Sequence, residues 1–275
     1  MDTNTLGFDH LINELKNNSN QLSLGGYIIK ELTHKQQRKI LGGNFDAVEI
    51  PAKLAMIYAE YLTDSVYKND DMVDLSRVIT LETKPYFINL LRKITFGSTY
   101  YEKGEAYELY DVTDEDLVPK AKPYTVVANK FKINLAVPTI NEDSRYNNLL
   151  INALAPFKRK KSINDVNVGG VTDLYQIYEI LKYIVSFEFN GQVYRFGQYS
   201  IQDRIKFLNN LSSITIEEIK DYIKASVKKA EEHALTAVSP TTGERIIADM
   251  NAIFFSATIR KEDSVDDNQE EEGDI

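Results

Sequence analysis

Apolar residues repeat at two spacings along this chain, and the spacing changes several times. Around Asn190-Gly191, Phe187, Phe189, Val193 and Phe196 are interleaved with polar residues, the period-two pattern of a β-hairpin closed by a type I′ turn. Leu54, Ile57, Tyr58, Tyr61, Leu62 and Val66 recur at three and four, which predicts a helix entered at Pro51. Asn69-Asp70-Asp71 interrupts that stripe, and Met72 to Leu81 reads as a second helical piece. Pro85 to Ile94 is apolar on nearly every side, which predicts a central helix. Extended segments follow near Phe96–Tyr101, Glu105–Tyr110, Tyr124–Val127 and Lys130–Val137. In the last of these Phe131, Ile133 and Leu135 share one face. Thr172 is placed as the cap of a helix carrying Leu174, Ile177, Tyr178, Leu181 and Ile184. Beyond the Asn-Gly hairpin come helices from Ser200 and Thr215, then a hairpin around Ser239-Pro240-Thr241-Thr242-Gly243. Near the N-terminus, Asp9 to Lys16 suits a short helix, Tyr27 to Leu32 a strand, and Thr33 caps a helix running to Ile40.

The expected fold is α+β. It has two modules, each a central apolar helix (Pro85–Phe96 or Thr172–Ser186) followed by an antiparallel hairpin. The expected boundaries are an N-terminal segment over 1–48, a helix-plus-hairpin module over 49–155, a basic and glycine-rich linker over 156–170, a second module over 171–260, and a tail over 261–275. From Lys261 onward eight acids face one base, so −7 of the net −9 lies in the tail and −2 in everything before it. Such a segment cannot bury enough apolar surface to offset its ordering entropy, so it is expected to be disordered.

Composition removes several classes of chemistry. With no cysteine there are no disulfides, thiolate nucleophiles or Cys-ligated metal sites. His10, His34 and His233 lie far apart without a second His at ligand spacing, so each reads as solvated and no metal or cofactor is expected. Asp111, Asp114, Glu115 and Asp116 are acidic enough to suggest calcium, but lack the calcium-loop glycine and glutamate and read as a solvated linker. Gly42-Gly43 is not followed by Lys-Ser or Lys-Thr, so no phosphate loop is formed. No apolar run approaches a membrane span and no signal peptide is recognisable, which predicts an intracellular protein.

Residues available for recognition are the aromatic and turn positions Tyr100, Tyr101, Tyr107, Asn190, Gly191, Thr241, Thr242 and Gly243. Electrostatic contacts are expected from the basic run Lys158, Arg159, Lys160 and Lys161 and from Glu270, Glu271 and Glu272 of the tail. The basic run lacks interleaved aromatics and belongs to a near-neutral body, so a surface loop is favoured over nucleic-acid binding.

Three stretches then resemble the baseplate hub and hub-assembly protein family of contractile-tailed, T-even-like bacteriophages. They are Ile88 to Gly97, Lys132 to Thr139 with its strand ending in Pro-Thr, and the segment order from Ile180 to Phe255, including Phe207-Leu208-Asn209-Asn210-Leu211. The resemblance spans roughly Pro51 to Ser256. It differs in having no cysteine pairs in the extended segments Tyr100 to Tyr110 and Ala237 to Arg245, where family members carry them. The resemblance implies a non-enzymatic tail protein. It would act in the host cytoplasm, or within the virion baseplate, as a hub component or assembly chaperone. Its partners would be other tail proteins or further copies of itself. The alternatives are a nucleic-acid-associated viral accessory protein using Lys158–Lys161, or a carboxylate-based hydrolase.

Overall fold

The computed structural model describes residues 19–41, 45–68, 73–158, 168–250 and 253–254. The fold is α+β, with helices packed around three small antiparallel sheets. The first sheet is β1 (Gln21–Leu24), β2 (Tyr27–Lys30) and β3 (Val66–Lys68). Helix α1 (His34–Leu41) follows β2, and Thr33 and Gln36 exchange hydrogen bonds at its start. Helix α2 (Ile50–Ser65) begins on Pro51 and delivers the chain into β3.

Helix α3 (Lys84–Phe96) is the centre of the first core. Every residue from Lys84 to Arg92 is buried, as its all-round apolar sequence predicts. Phe87, Ile88 and Leu91 pack there with Tyr27, Ile29, Tyr58 and Leu62. The stretch before α3 departs from expectation. Met72 to Leu81 is not a helix; its described part, from Val73, holds only a 3-10 turn at Leu75–Arg77. The chain there is drawn out because Thr80 forms a β-bridge with Thr139.

The remaining strands are β4 (Thr99–Glu102), β5 (Glu105–Leu109), β6 (Tyr124–Ala128), β7 (Phe131–Leu135), β8 (Ile184–Phe189), β9 (Gln192–Arg195), β10 (Thr236–Val238) and β11 (Arg245–Ile247). They form two sheets, ordered β11-β10-β5-β4 and β6-β7-β8-β9. Both sheets combine strands from before and after residue 156. Ala237 of β10 pairs with Leu109 of β5, and Ile133 of β7 pairs with Phe187 of β8. This corrects the expected partition into modules at 49–155 and 171–260. The stretch from Phe187 gives its first hairpin to one sheet and its second to the other. Phe254 then seats in the first core against Tyr58, Tyr61 and Phe96.

Two more expectations are corrected in the middle of the chain. Residues 141–153, for which no element was expected, are helical. Helix α4 (Ile140–Ala153) occupies them, packed on α2 and on α5 (Val168–Leu181). Gly169 and Gly170 lie inside α5 rather than in a linker, so Thr172 is no cap. Helices α6 (Ile201–Asn209) and α7 (Ser213–Ile223) begin on Ser200 and Ser212, whose side chains accept from the Asp203 and Thr215 amides. A π-helical segment, Lys224–Lys228, joins α7 to α8 (Lys229–Ala234). The second core lies between these helices and the β6–β9 sheet, around Val126, Ile133, Leu135, Phe196, Leu208 and Ile219.

Candidate functional site

The expected contacts fall into four groups. Tyr100 and Tyr107 are buried in the first core, so they cannot be surface contacts as expected. Alternation along β4 and β5 turns both rings inward, opposite one another in register, and leaves Tyr101 exposed. The Tyr107 hydroxyl donates to Glu105 at 2.9 Å, and that bond is the main reason its pKa rises to about 12. Asn190, Gly191, Thr241, Thr242 and Gly243 are all exposed, at hairpin tips of two different sheets. Asn190 and Gly191 adopt φ of +50° and +79°, as a type I′ turn requires. Lys158 is not a free cation, because it forms an ion pair with the buried Glu49 carboxylate. Arg159, Lys160, Lys161, Glu270, Glu271 and Glu272 lie outside the described residues, as do Asp9–Lys16 and Phe255.

The acidic stretch after Asp111 is less solvated than expected. Asp116 is buried and accepts from the Thr113 amide and hydroxyl and from the Tyr110 hydroxyl. Asp114 accepts from the Gly25 amide at 2.8 Å. His233 is exposed and meets Tyr86 through Nδ1 at 3.1 Å. Among the described residues no three His, Asp or Glu side chains are grouped as a metal site.

The most organised polar constellation was not among the expected sites. It grows from the start of α4. The Thr139 hydroxyl accepts from the Glu142 amide, and the Glu142 carboxylate accepts from the Thr139 amide at 2.9 Å, a reciprocal capping box. The Ile79 carbonyl accepts from the Ile140 amide and the Pro138 carbonyl from the Leu81 amide, both at 2.9 Å, which pins this helix end to the chain entering α3. Asp143 is thereby turned inward. It accepts from Lys182 at 2.9 Å and from Lys84 at 3.4 Å. Burial alone would raise its pKa, but the two ammonium groups outweigh burial and hold it below the ordinary carboxylate value. Lys182 also pairs with Glu179 at 2.6 Å. Burial would lower the Lys182 pKa, yet Asp143 and Glu179 together raise it. The four charges balance, and they tie α3, α4 and α5 together.

On the solvent side of this cluster is a cleft of about 520 Å³, lined in part by Glu142, Arg145, Tyr146, Lys182, Arg195 and Arg204. Arg204 is 8% exposed. It donates to the Tyr199 and Gly197 carbonyls at 2.9 and 2.8 Å and to the Tyr146 hydroxyl at 3.0 Å. Its charge therefore meets only neutral acceptors. Arg145 stands one turn beyond Glu142 on α4 and is exposed. Arg195 ends β9, where the hairpin register sets it opposite Ser186. A one-residue slip would send Arg195 to the other face of the sheet, so the Asn190-Gly191 turn decides where this cation points. Among the described residues, Arg145 and Arg195 make no ion pair.

The cleft opens beside the uncovered face of the β6–β9 sheet. Across it runs one row of Val127, Lys132, Glu188 and Val193, with Lys132 and Glu188 paired at 3.2 Å. Val127 is 66% exposed and Val193 60%. The next row is Thr125, Asn134, Ser186 and Arg195, whose first three members are joined by side-chain hydrogen bonds of 2.9 and 3.0 Å. Sequence reasoning missed this site because its members come from α4, α5, β8–β9 and α6. The one local signal was Thr139-Ile140-Asn141-Glu142, a capping box that marks the hidden helix.

No helix among the described residues is long and apolar enough to cross a membrane. Comparison with family models, with curated proteins and with solved structures gives no match.

Proposed function

We propose that this protein is a non-enzymatic binding protein that acts through protein–protein contacts. Its proposed setting is assembly of the baseplate hub of a contractile-tailed phage, as hub component or assembly chaperone. The observation that carries the binding reading is the uncovered β6–β9 face, where exposed valines flank a central ion pair and β9 offers an unpaired edge. The buried charges beside it are committed to one another, which supports a structural role for them rather than proton transfer. The phage setting is supported by the residue resemblance from Pro51 to Ser256. The nucleic-acid alternative loses its first cation, since Lys158 serves Glu49.

Co-expression with the hub proteins of a contractile-tailed phage, followed by size-exclusion chromatography, tests this reading. A co-eluting complex at micromolar concentration is expected, and Val193→Asp should weaken it about tenfold or more. Separate elution from every hub protein overturns the hub assignment. Mass spectrometry of purified virions then separates the two roles: a component is present at fixed stoichiometry, and a chaperone is absent.

A further inference from the structure

The strongest unassigned feature is the row that crosses the uncovered β6–β9 face. It runs Val127, Lys132, Glu188, Val193, with one residue from each strand in sheet order. Exposed valines close both ends, and a cation and an anion sit between them. Such a row is complementary to its own reverse. Turned end for end, each valine meets a valine, the lysine meets a glutamate and the glutamate meets a lysine. The internal ion pair leaves room for this. Lys132 donates to the two Glu188 oxygens at 3.2 and 3.3 Å, which takes two of its three ammonium hydrogens and leaves lone pairs on both oxygens.

Other features carry less. The cleft holds the Glu142 carboxylate in the same wall as its arginines. The hollow of about 900 Å³ beside His34 mixes acids and bases, and its Lys39 and Glu60 are already paired. The apolar groove between Phe131 and Ile214 has nothing beside it to say what covers it.

We propose that a second copy of this chain packs on the β6–β9 face, sheet against sheet, about a two-fold axis that runs along the strands between β7 and β8. The inference rests on the reading of this face as a binding surface and names its occupant. A two-fold contact needs a patch that matches itself, and this row does. The charges also select the axis. A two-fold along the strands lays Lys132 over Glu188 of the second copy, and the two ion pairs merge into a ring of four alternating charges. A two-fold across the strands would lay Lys132 over its own equivalent and set like charges together. Packed sheets lie about 10 Å apart, a gap that lysine and glutamate side chains from opposite faces can span. In the next row the chosen axis brings Arg195 over Thr125 and Asn134 over Ser186, so no like charges meet there either. The size of the face sets the strength. Four strands about 4.8 Å apart and two rows about 7 Å apart make a patch of about 19 by 14 Å. Two such patches bury well under about 1,200 Å², the range of weak and transient contacts. A partner protein that docks on the same face can therefore displace the second copy.

The full chain on its own tests this. In sedimentation velocity at low salt, from about 10 µM to about 1 mM, the wild type should pass from monomer to dimer with a Kd on the order of 100 µM. K132E and E188K should each weaken the association about tenfold or more, because each makes a row of like charges. An equimolar mixture of these two variants should recover it as a mixed dimer, since a row with two glutamates then faces a row with two lysines. The chain carrying both K132E and E188K rebuilds the row in reverse and should recover it alone. The Lys132 and Glu188 side chains are 54% and 28% exposed, so all three variants should keep the fold. V127D should weaken the association as much as V193D, because the two valines face one another. Loss with V193D alone would mean that copies join edge to edge through β9, and it overturns the face contact. So does a wild type that stays monomeric at about 1 mM, an association that survives either single reversal, or a mixture no more associated than its parts. No hub protein is present in these measurements. A monomer that still binds a hub protein defeats this inference alone, and a dimer that binds none defeats the hub assignment alone.

Discussion

Arg92 and Arg204 perform the same task in the two cores, but one is sealed from solvent and the other borders an open cleft. Each buried arginine gathers main-chain carbonyls near its own helix. Arg92 donates to Gly97, Thr99 and Ile253. Arg204 donates to Gly197 and Tyr199 and to the Tyr146 hydroxyl. Neither has a carboxylate among these partners. Arg92 is 1% exposed, and burial pulls its pKa down to about 10, so it stays charged at neutral pH. The chain closes over it through Ile253 and Phe254. Arg204 is instead a wall of the cleft, beside two further arginines that make no ion pair among the described residues. One cation is spent entirely on holding the fold. The other holds a loop and still projects its field into a site open to solvent.

Replacing each arginine with methionine should expose this difference. Arg92→Met keeps most of the side-chain volume but takes the donor from one buried and two partly buried carbonyls. It should cost about 3–5 kcal/mol in urea unfolding. Arg204→Met should cost about 1–2 kcal/mol, because water entering the cleft can replace the lost donors. Equal losses would mean that Arg204 is as sealed as Arg92, and the contrast would fail.

Between these two in size comes the charge cluster behind the cleft. Asp143→Asn leaves Lys84 and Lys182 with a single acid, Glu179, and should cost about 3 kcal/mol at pH 7. The sign with pH follows from the depressed pKa of Asp143. The folded state binds this proton less readily than the unfolded state, whose aspartate titrates near 4. The contribution is therefore present above about pH 4 and is lost as pH falls through the folded value. Wild type should lose stability below about pH 4 faster than the variant, and the two curves should converge. A constant gap between them down to about pH 2 would show that the cluster acts through packing alone.

How much of this was legible in the sequence depended on range. The alternation over Lys130–Leu135 and the Asn190-Gly191 turn are local signals, and both predicted their elements. The apolar stripe of α3 likewise marked a central helix. Helix α4 escaped because Tyr146 is the one apolar side chain between Glu142 and Asn148, so its apolar face shows as a stripe only from Leu149, Leu150 and Ile151 onward. Its capping box was visible but is a weak sign beside a missing stripe. The two-module division failed for a different reason. The pairing of β10 with β5 joins strands far apart in sequence, and nothing local to either strand names its partner. The cleft inherits both difficulties, since α4 was unseen and β9 and α6 were assigned to a separate module.

The smallest effect tests the link between local turn chemistry and the cleft. Gly191 has φ of +79°, and a Cβ added there would meet no atom within 4 Å. Gly191→Ala therefore adds backbone strain and no clash, at a cost of about 1 kcal/mol. The strain falls on the turn that fixes Arg195 opposite Ser186. Amide exchange should quicken at Val193 and Arg195 and stay unchanged in β4 and β5, which belong to the other sheet. Faster exchange in both sheets would mean that the turn supports the whole fold. Faster exchange confined to β8–β9 would place Arg195, and with it one wall of the cleft, under the control of two hairpin residues.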